Sequence, residues 1–538
     1  MKSVLLSIVV CLILCITISC IKRNNKNPDS DFIEKIVITN KPASVRSATL
    51  FDNFLGINAF EWNFHGHDNS FVSPHRLQLI KSFKNFRHYM DWEKIEPVEG
   101  RYTFNPTSSG SWRYDIIYES CKENNIEVIA CLKTCPPWLV NTYPAKIRDV
   151  ENVPAPYGLK RSSPASYIKQ AKAAFQFAAR YGYNTKIDSS MLSVYKVSRW
   201  PGDLPNRVKI GLGFVKYIEC DNERDKWWKG KQAEQSPEEY AANMSAFYDG
   251  HMGKLGKNVG VKNADPAMQV VMGGLSKPDP NYVIAMIAWC KKNRGVKSNG
   301  EVNLCFDVIN YHYYSENVTA KNPIRTAGGA PELGLAAKIA DSFVNMSKRY
   351  AGNKPVWVTE CGYDVNPKSP QAATIVGNKS ILITQADWSI RTSLLYARHG
   401  IKKVFFYMLE DVDKKNPTQY SSSGFIDSNE KRPAAFYFSQ AKKLLGAYSY
   451  SHTVSANPII DVYSLNKKYM YVAYIPNQKN LKSKVNLKFK GFKYARIYQL
   501  VPESDTMLSK LVHVINDQIT LNVTETPTFA EGTNDSES

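Results

Sequence analysis

Between residues 54 and 411 the chain alternates short apolar runs with longer stretches whose apolar residues return at helical spacing. The runs cover 54–60, 85–89, 126–132, 215–220, 269–273, 306–311, 356–360 and 403–408. Continuous apolar runs separated by amphipathic segments predict parallel strands covered on both faces by helices. Eight of them match the strand count of a closed barrel. The expected fold class is therefore α/β, a (β/α)8 TIM barrel over residues 50–445. Some helix boundaries are marked. Ser236-Pro237-Glu238-Glu239 offers a serine N-cap with proline in the first turn, and 385–399 carries a strong helical pattern. The segment 189–213, rich in Gly, Pro and basic residues, reads as a long loop before the fourth strand, of the kind that shapes a cleft.

Past residue 445 the rhythm changes. The segments 461–465, 469–475, 484–489, 494–500 and 518–523 are short, alternating and rich in Val, Ile and Tyr. They predict a C-terminal antiparallel β-sandwich domain over 446–530. The stretch 34–49 supplies a lead-in strand to it, and the tail 531–538 is expected to be disordered.

The amino terminus has the pattern of a targeting segment. Lys2 provides a positive start, and 4–18 is almost wholly apolar, too short and too terminal for a spanning helix. The run ends at Thr17-Ile18-Ser19-Cys20, where small Ser19 before Cys20 resembles a bacterial lipobox, with Thr17 at the position where leucine is usual. Residues 1–19 are thus expected to be a signal peptide of lipoprotein type, Cys20 a lipidation site and 20–49 a tether. That reading predicts an exported protein, membrane-anchored in the periplasm or at the cell surface, or otherwise secreted.

Composition narrows the partners. With 538 residues, 22% charged and 43% hydrophobic, the chain fits a soluble globular protein. Its net charge of +20 admits nucleic acid, an acidic membrane surface or an anionic polysaccharide. The lysines are scattered, with no basic block and no nucleic-acid module, so no nucleic-acid partner is expected. The joint abundance of Asn, Ile and Lys is what an AT-rich genome produces and accounts for much of the charge. A carbohydrate partner, neutral or anionic, remains. Of ten cysteines three lie in the apolar leader, leaving an odd seven that read mostly as buried free thiols. Cys131 and Cys135 have the spacing of half a metal site without a matching second half.

Candidate chemistry sits where two apolar runs stop. One run ends in Glu219-Cys220-Asp221-Asn222-Glu223, the other in Thr359-Glu360. A buried parallel strand delivers its polar residues at its C-terminal end, where barrel loops gather. Two carboxylates brought there from two strands are the acid and the nucleophile of a glycosidase. The competing reading takes each glutamate as a solvated helix-start carboxylate.

This order resembles that of clan A glycoside hydrolases, (β/α)8 barrels in which the acid/base follows an asparagine at the end of strand four and the nucleophile ends strand seven. The likeness extends over roughly residues 50–530 and is nearest in kind to families 5, 30, 39 and 51. The last three pair the barrel with a β-sandwich. The resemblance implies a retaining hydrolase with Glu223 as acid/base and Glu360 as nucleophile, without a cofactor or required metal. It implies that Asn222 binds the sugar 2-hydroxyl, that Arg87 orients the nucleophile, and that His312 or Tyr314 is the nucleophile's aromatic partner. A structural salt bridge would equally explain Arg87, and simple packing His312. Trp62, Trp138 and Trp227, in loops after strands one, three and four, are candidate sugar-stacking platforms. Clan members carry tryptophan at the end of strand eight; here Tyr407 stands in that region with Glu410 beyond it. His65 and His67 lack a third metal ligand. The alternative in another class is a non-catalytic surface glycan-binding protein on a degenerate barrel.

Overall fold

A computed structural model describes residues 33–34, 49–65, 71–198, 201–318 and 323–536. The leader, with Cys20, lies outside the described residues, as does His67. Eight parallel strands form the centre: β1 (Leu55–Asn58), β2 (Asn85–Asp91), β3 (Glu127–Lys133), β4 (Tyr217–Cys220), β5 (Gln269–Met272), β6 (Ile309–His312), β7 (Val356–Cys361) and β8 (Lys403–Phe406). Strand β1 pairs with both β2 and β8. The ring shuts between β5 and β6 through the parallel bridges Val271 to Val308 and Leu275 to Tyr311. The barrel expected from the eight apolar runs is present.

Period-two alternation sorts the side chains. Ile218, Cys220, Val356, Val358 and Val404 point outward into the core shared with the helices. Ile129, Tyr217, Val271, Val308, Trp357 and Phe405 fill the interior towards the strands' amino-terminal ends. Gly56 belongs to this layer because a Cβ there would come within 2.3 Å of the Phe405 ring. Two residues further on, the interior turns polar: Asn58, Arg87, Glu219, Asn310 and Thr359 are all buried. An apolar floor thus carries a polar layer directly beneath the mouth.

The helices cap as their residues suggest. Ser236 and Glu239 form a reciprocal capping box at the start of Pro237–Asp249, and Ile381–Arg398 covers the predicted segment. The segment 189–213 departs from expectation. Met191 accepts from Gln176, Tyr195 donates to Tyr102, and Asn206 accepts from the amides of Phe104 and Asn105. It is a strap along the barrel's outer wall, and it enters β4 from the end opposite the glutamates.

Beyond residue 445, Ser449–Ala456, Ile459–Leu465, Lys468–Tyr474, Thr528–Thr533, Tyr494–Gln499 and Leu508–His513 form one antiparallel sheet in that order. Ser483–Lys488 and Gln518–Val523 pair in a second sheet, to whose edge Ile33–Glu34 adds a parallel pairing. Three strands were not marked by the sequence pattern, namely Ser449–Ala456, Leu508–His513 and Thr528–Thr533. The last of these runs into the expected disordered tail, since Glu531 to Thr533 pair with Arg496 to Tyr494. The larger sheet is covered on both faces. Ile460, Ala473 and Ala530 meet the smaller sheet, while Tyr463, Val472, Tyr474 and Phe529 join the barrel core.

Asp461 faces the barrel and is fully buried. It accepts from both Nε and Nη2 of Arg398 (3.0 and 2.6 Å) and from the Thr453 hydroxyl (2.6 Å). Removing one partner of such a pair strands the other charge. Asp461→Ala is expected to cost about 3–5 kcal/mol, read as a lowered thermal midpoint.

Candidate active site

Two local departures from regular strand geometry aim the carboxylates. Leaving β4, Asp221 (φ 66°) and Glu223 (φ 50°) both take the left-handed conformation, at roughly 1–2 kcal/mol for each non-glycine residue. The bend is held where it is made: Asp221 Oδ1 accepts from the Asn222 amide (2.8 Å), and the Glu223 amide donates to the Gly274 carbonyl (3.1 Å). On β7 the pairing with β6 runs Val358 to Tyr311 and then Glu360 to His312, two residues against one. The slip recurs against β8, where Val358 meets Val404 and Cys361 meets Phe406. This bulge turns Thr359 and Glu360 both towards the interior, while Cys361 packs outward.

Arg87 joins the parts. Its Nε and Nη2 grip Glu219 (2.6 and 3.1 Å), Nη1 reaches Asn58 (2.7 Å) and Glu360 (3.0 Å), and Nη2 also reaches Asn222 (2.8 Å). All five guanidinium hydrogens are engaged. Glu360 further accepts from the Tyr89 hydroxyl (2.7 Å) and the Tyr314 hydroxyl (3.2 Å). Burial pushes the Glu360 carboxyl upward, but His312, Arg87 and the Tyr89 hydrogen bond outweigh it and hold it below the ordinary range. Glu360 is therefore set up as a stable anion.

His312 stands between the two glutamates. Its Nδ1 lies 2.8 Å from Glu223 and 3.5 Å from Glu360, and its Nε2 is 3.0 Å from the Thr359 hydroxyl. Burial opposes a charged imidazole, yet Glu360 and Glu223 prevail and raise its pKa above the usual value. One carboxylate oxygen each of Glu223 and Glu360 and one nitrogen of His312 all lie within 4.8 Å of one another. Such spacing would also admit a divalent cation, against which the adjoining Arg87 charge acts. Gly274 makes room for the imidazole, for a Cβ there would fall 2.0 Å from its Nε2.

The rim is aromatic. Trp62, about half exposed, stacks on Phe60 with centroids 4.5 Å apart, and Phe60 in turn meets Tyr89 and Tyr407. Tyr407 also lies beside Tyr89 and Tyr420. Burial first, and then the charge of Glu360, raise its pKa. Trp227 and Trp228 project just past Glu223, 67% and 48% exposed. Trp138 departs from expectation: its indole N–H donates to the Glu96 carbonyl (3.0 Å) and its ring packs edge-on against buried Trp92. Loop packing takes up that tryptophan. Glu410 is bound by Arg76 (2.8 Å) and Asn63 (2.9 Å). His65 stacks on Trp112 and contacts the Phe71 carbonyl. All seven described cysteines are free and buried, with Cys131 and Cys135 each donating to a backbone carbonyl.

A family model for glycoside hydrolase family 42, described as beta-galactosidase, matches residues 82–189, the stretch that holds Arg87 and Tyr89. Among solved structures, a family 39 glycoside hydrolase from the gut symbiont Bacteroides cellulosilyticus WH2 superposes with a TM-score of 0.59 at 17% identity, covering 90% of this chain and 81% of that one. A family 51 alpha-L-arabinofuranosidase from Bifidobacterium longum gives a TM-score of 0.52 at 12% identity, over 91% of this chain and 97% of that one. A family 44 xyloglucanase from Paenibacillus polymyxa gives 0.51 at 10% identity, over 92% and 97%. No curated protein matches the chain in sequence. The family-model match is confined to residues 82–189, within the barrel. At these identities the likeness to solved structures is one of fold.

The structure brings together Arg87, Asn222, Glu223, His312, Tyr314, Glu360 and Tyr407. Sequence reading missed Tyr89, Glu219, Asn58, Thr359, Gly274 and Tyr420. Tyr89 was within reach, being two positions after Arg87 on the same strand face. Tyr420 comes from a loop and packs its ring 4.4 Å from that of Tyr314; no periodic signal points to it.

The Gly274 clearance generates a test. Gly274→Ala is expected to displace His312, lower kcat by about 10- to 100-fold and lower the thermal midpoint, since overpacking a buried site costs about 1–3 kcal/mol.

Proposed function

We propose that the protein is a retaining glycoside hydrolase acting on an oligosaccharide or polysaccharide by double displacement. The observation that carries this reading is the pair of glutamate oxygens within 4.8 Å, one anchored by Arg87 and Tyr89 and the other against His312. Retention calls for carboxyl groups about 5–5.5 Å apart, since no water has to fit between nucleophile and sugar. Inversion needs roughly 6.5–9.5 Å.

In the first step the Glu360 carboxylate attacks the anomeric carbon and the bond to the leaving oxygen breaks. Glu223 gives that oxygen a proton. A proton on the 2.8 Å contact between Glu223 and His312, whichever group holds it, is the one the leaving group needs. In the second step Glu223 takes a proton from water, the water oxygen attacks the anomeric carbon, and Glu360 is released. Asn222 accepts from Arg87 through Oδ1, which turns its amide donors towards a sugar hydroxyl. Export and a lipid anchor at Cys20 belong to the same proposal, supported by the apolar run 4–18 and the Ser19-Cys20 junction. The glycan-binding alternative predicts no such completed carboxylate environment.

Glu223→Ala and Glu360→Ala are each expected to lose about 10²–10⁴-fold in kcat or more without unfolding, measured on a panel of galactosides, arabinofuranosides, xyloglucan and uronate-bearing glycans. Proton NMR of the first product should show the substrate's anomeric configuration. Inverted product, or full activity in either variant, would remove the proposal.

Because Glu360 is held below the ordinary carboxylate range, its anion persists into acid. The acid limb of kcat/KM is expected below the usual glutamate value of about 4.3. A limb above that value would contradict the assignment of Glu360 as the pre-ionised group.

A further inference from the structure

We infer that Glu219 is the positioning residue of the catalytic centre: from beneath the site it holds the Arg87 fork in register and offsets its charge, so that Glu360 keeps its basicity. The inference rests on the proposed role of Glu360 as nucleophile.

Glu219 is fully buried and does not face the cleft. Four donors converge on it: Nε and Nη2 of Arg87 (2.6 and 3.1 Å), the Gly274 amide (3.1 Å) and the Asn310 side chain (3.0 Å). An isolated carboxylate would not remain charged there, so its surroundings are built for the anion. The two-point grip removes the guanidinium's freedom to rotate. With Nε and one Nη2 hydrogen fixed on Glu219, the remaining three hydrogens can only point at Asn58, Asn222 and Glu360. One contact thus sets the direction of the nucleophile's partner and of the proposed 2-hydroxyl ligand together.

Charge follows the same geometry. An unopposed buried arginine beside Glu360 would over-stabilise its carboxylate and weaken it as a nucleophile. With Glu219 on its far side, Arg87 serves as an oriented donor with much of its field cancelled. Gly274 links this support to the other carboxylate: its amide binds Glu219, its carbonyl accepts from the Glu223 amide, and its missing Cβ admits His312.

The test separates charge from geometry. In Glu219→Gln, the acid limb of kcat/KM and the titration midpoint of Glu360, followed by carbon-13 NMR of labelled glutamate with Glu360→Gln as the assignment control, are both expected to move down by about one pH unit. Over the same change kcat should fall by up to about 100-fold, with KM little altered. In Glu219→Asp the charge stays and the two-point grip is lost, so kcat should fall while limb and midpoint stay in place. An unmoved midpoint in Glu219→Gln, an equal shift in both variants, or wild-type kcat in either would overturn the inference. Should the glutamine variant fail to fold, Glu219→Asp decides on kcat alone. If the wild-type protein turns over no glycan, the hydrolase reading falls, whereas the NMR midpoint still decides whether Glu219 governs Glu360.

Discussion

A guanidinium enclosed in a barrel must find an acceptor for each of its five hydrogens, and Arg87 finds them on three strands and the turn after one of these. Asn58 comes from β1, Glu219 from β4, Asn222 from the turn after β4 and Glu360 from β7. That demand ties the strands in one register at one height. A shift of one residue in any of them would turn the acceptor outward, because side chains alternate with period two, and would leave a buried charge unpaired. The apolar layer of Tyr217, Trp357 and Phe405 sets this height from below. The floor is why the polar layer sits at the mouth instead of sinking into the barrel.

Alternation also explains how much could be read in advance. All eight barrel strands announced themselves as apolar runs, because a strand covered on both faces has few positions for polar residues. Of the sandwich, the strands with clean alternation were visible. Ser449–Ala456 and Leu508–His513 were not, since their side chains are mostly half-buried or exposed and no apolar face develops. The two glutamates were legible because they end apolar runs. Their supports were not: Glu219 sits inside a strand that reads as packing, and Asn58, Asn310 and Thr359 look like ordinary strand polar residues until the barrel closes. Trp138 misled for the converse reason. A loop tryptophan carries the same signal whether it faces a cleft or packs beneath its own loop, and only the hydrogen bond to Glu96 separates the two.

Strict alternation would have placed Glu360 on the outer face with Val356 and Val358. The bulge on β7 breaks the pattern at the one position where chemistry needs it, giving consecutive inward residues, Thr359 for His312 and Glu360 for Arg87. The turn after β4 reaches the same end by other means, with left-handed Asp221 and Glu223 presenting Asn222 and Glu223 side by side. Neither device has a sequence signature. Each is a local cost borne by surrounding hydrogen bonds, and both occur within the site.

The proposed double displacement asks opposite things of two identical side chains, and the surroundings of the two are unequal. Glu360 is covered, yet donors from Arg87, Tyr89 and Tyr314 offset burial and keep it ionised. Glu223 receives no such set; its side-chain partner is His312, a group able to give or take a proton in the working pH range. Because His312 also faces Glu360, the charge on the first carboxylate bears on the proton held by the second. When Glu360 becomes an ester on the proposed pathway, the anion that favours a charged imidazole disappears. His312 then holds a proton less strongly, which favours handing the proton of the Glu223–His312 contact to the leaving oxygen as the ester forms.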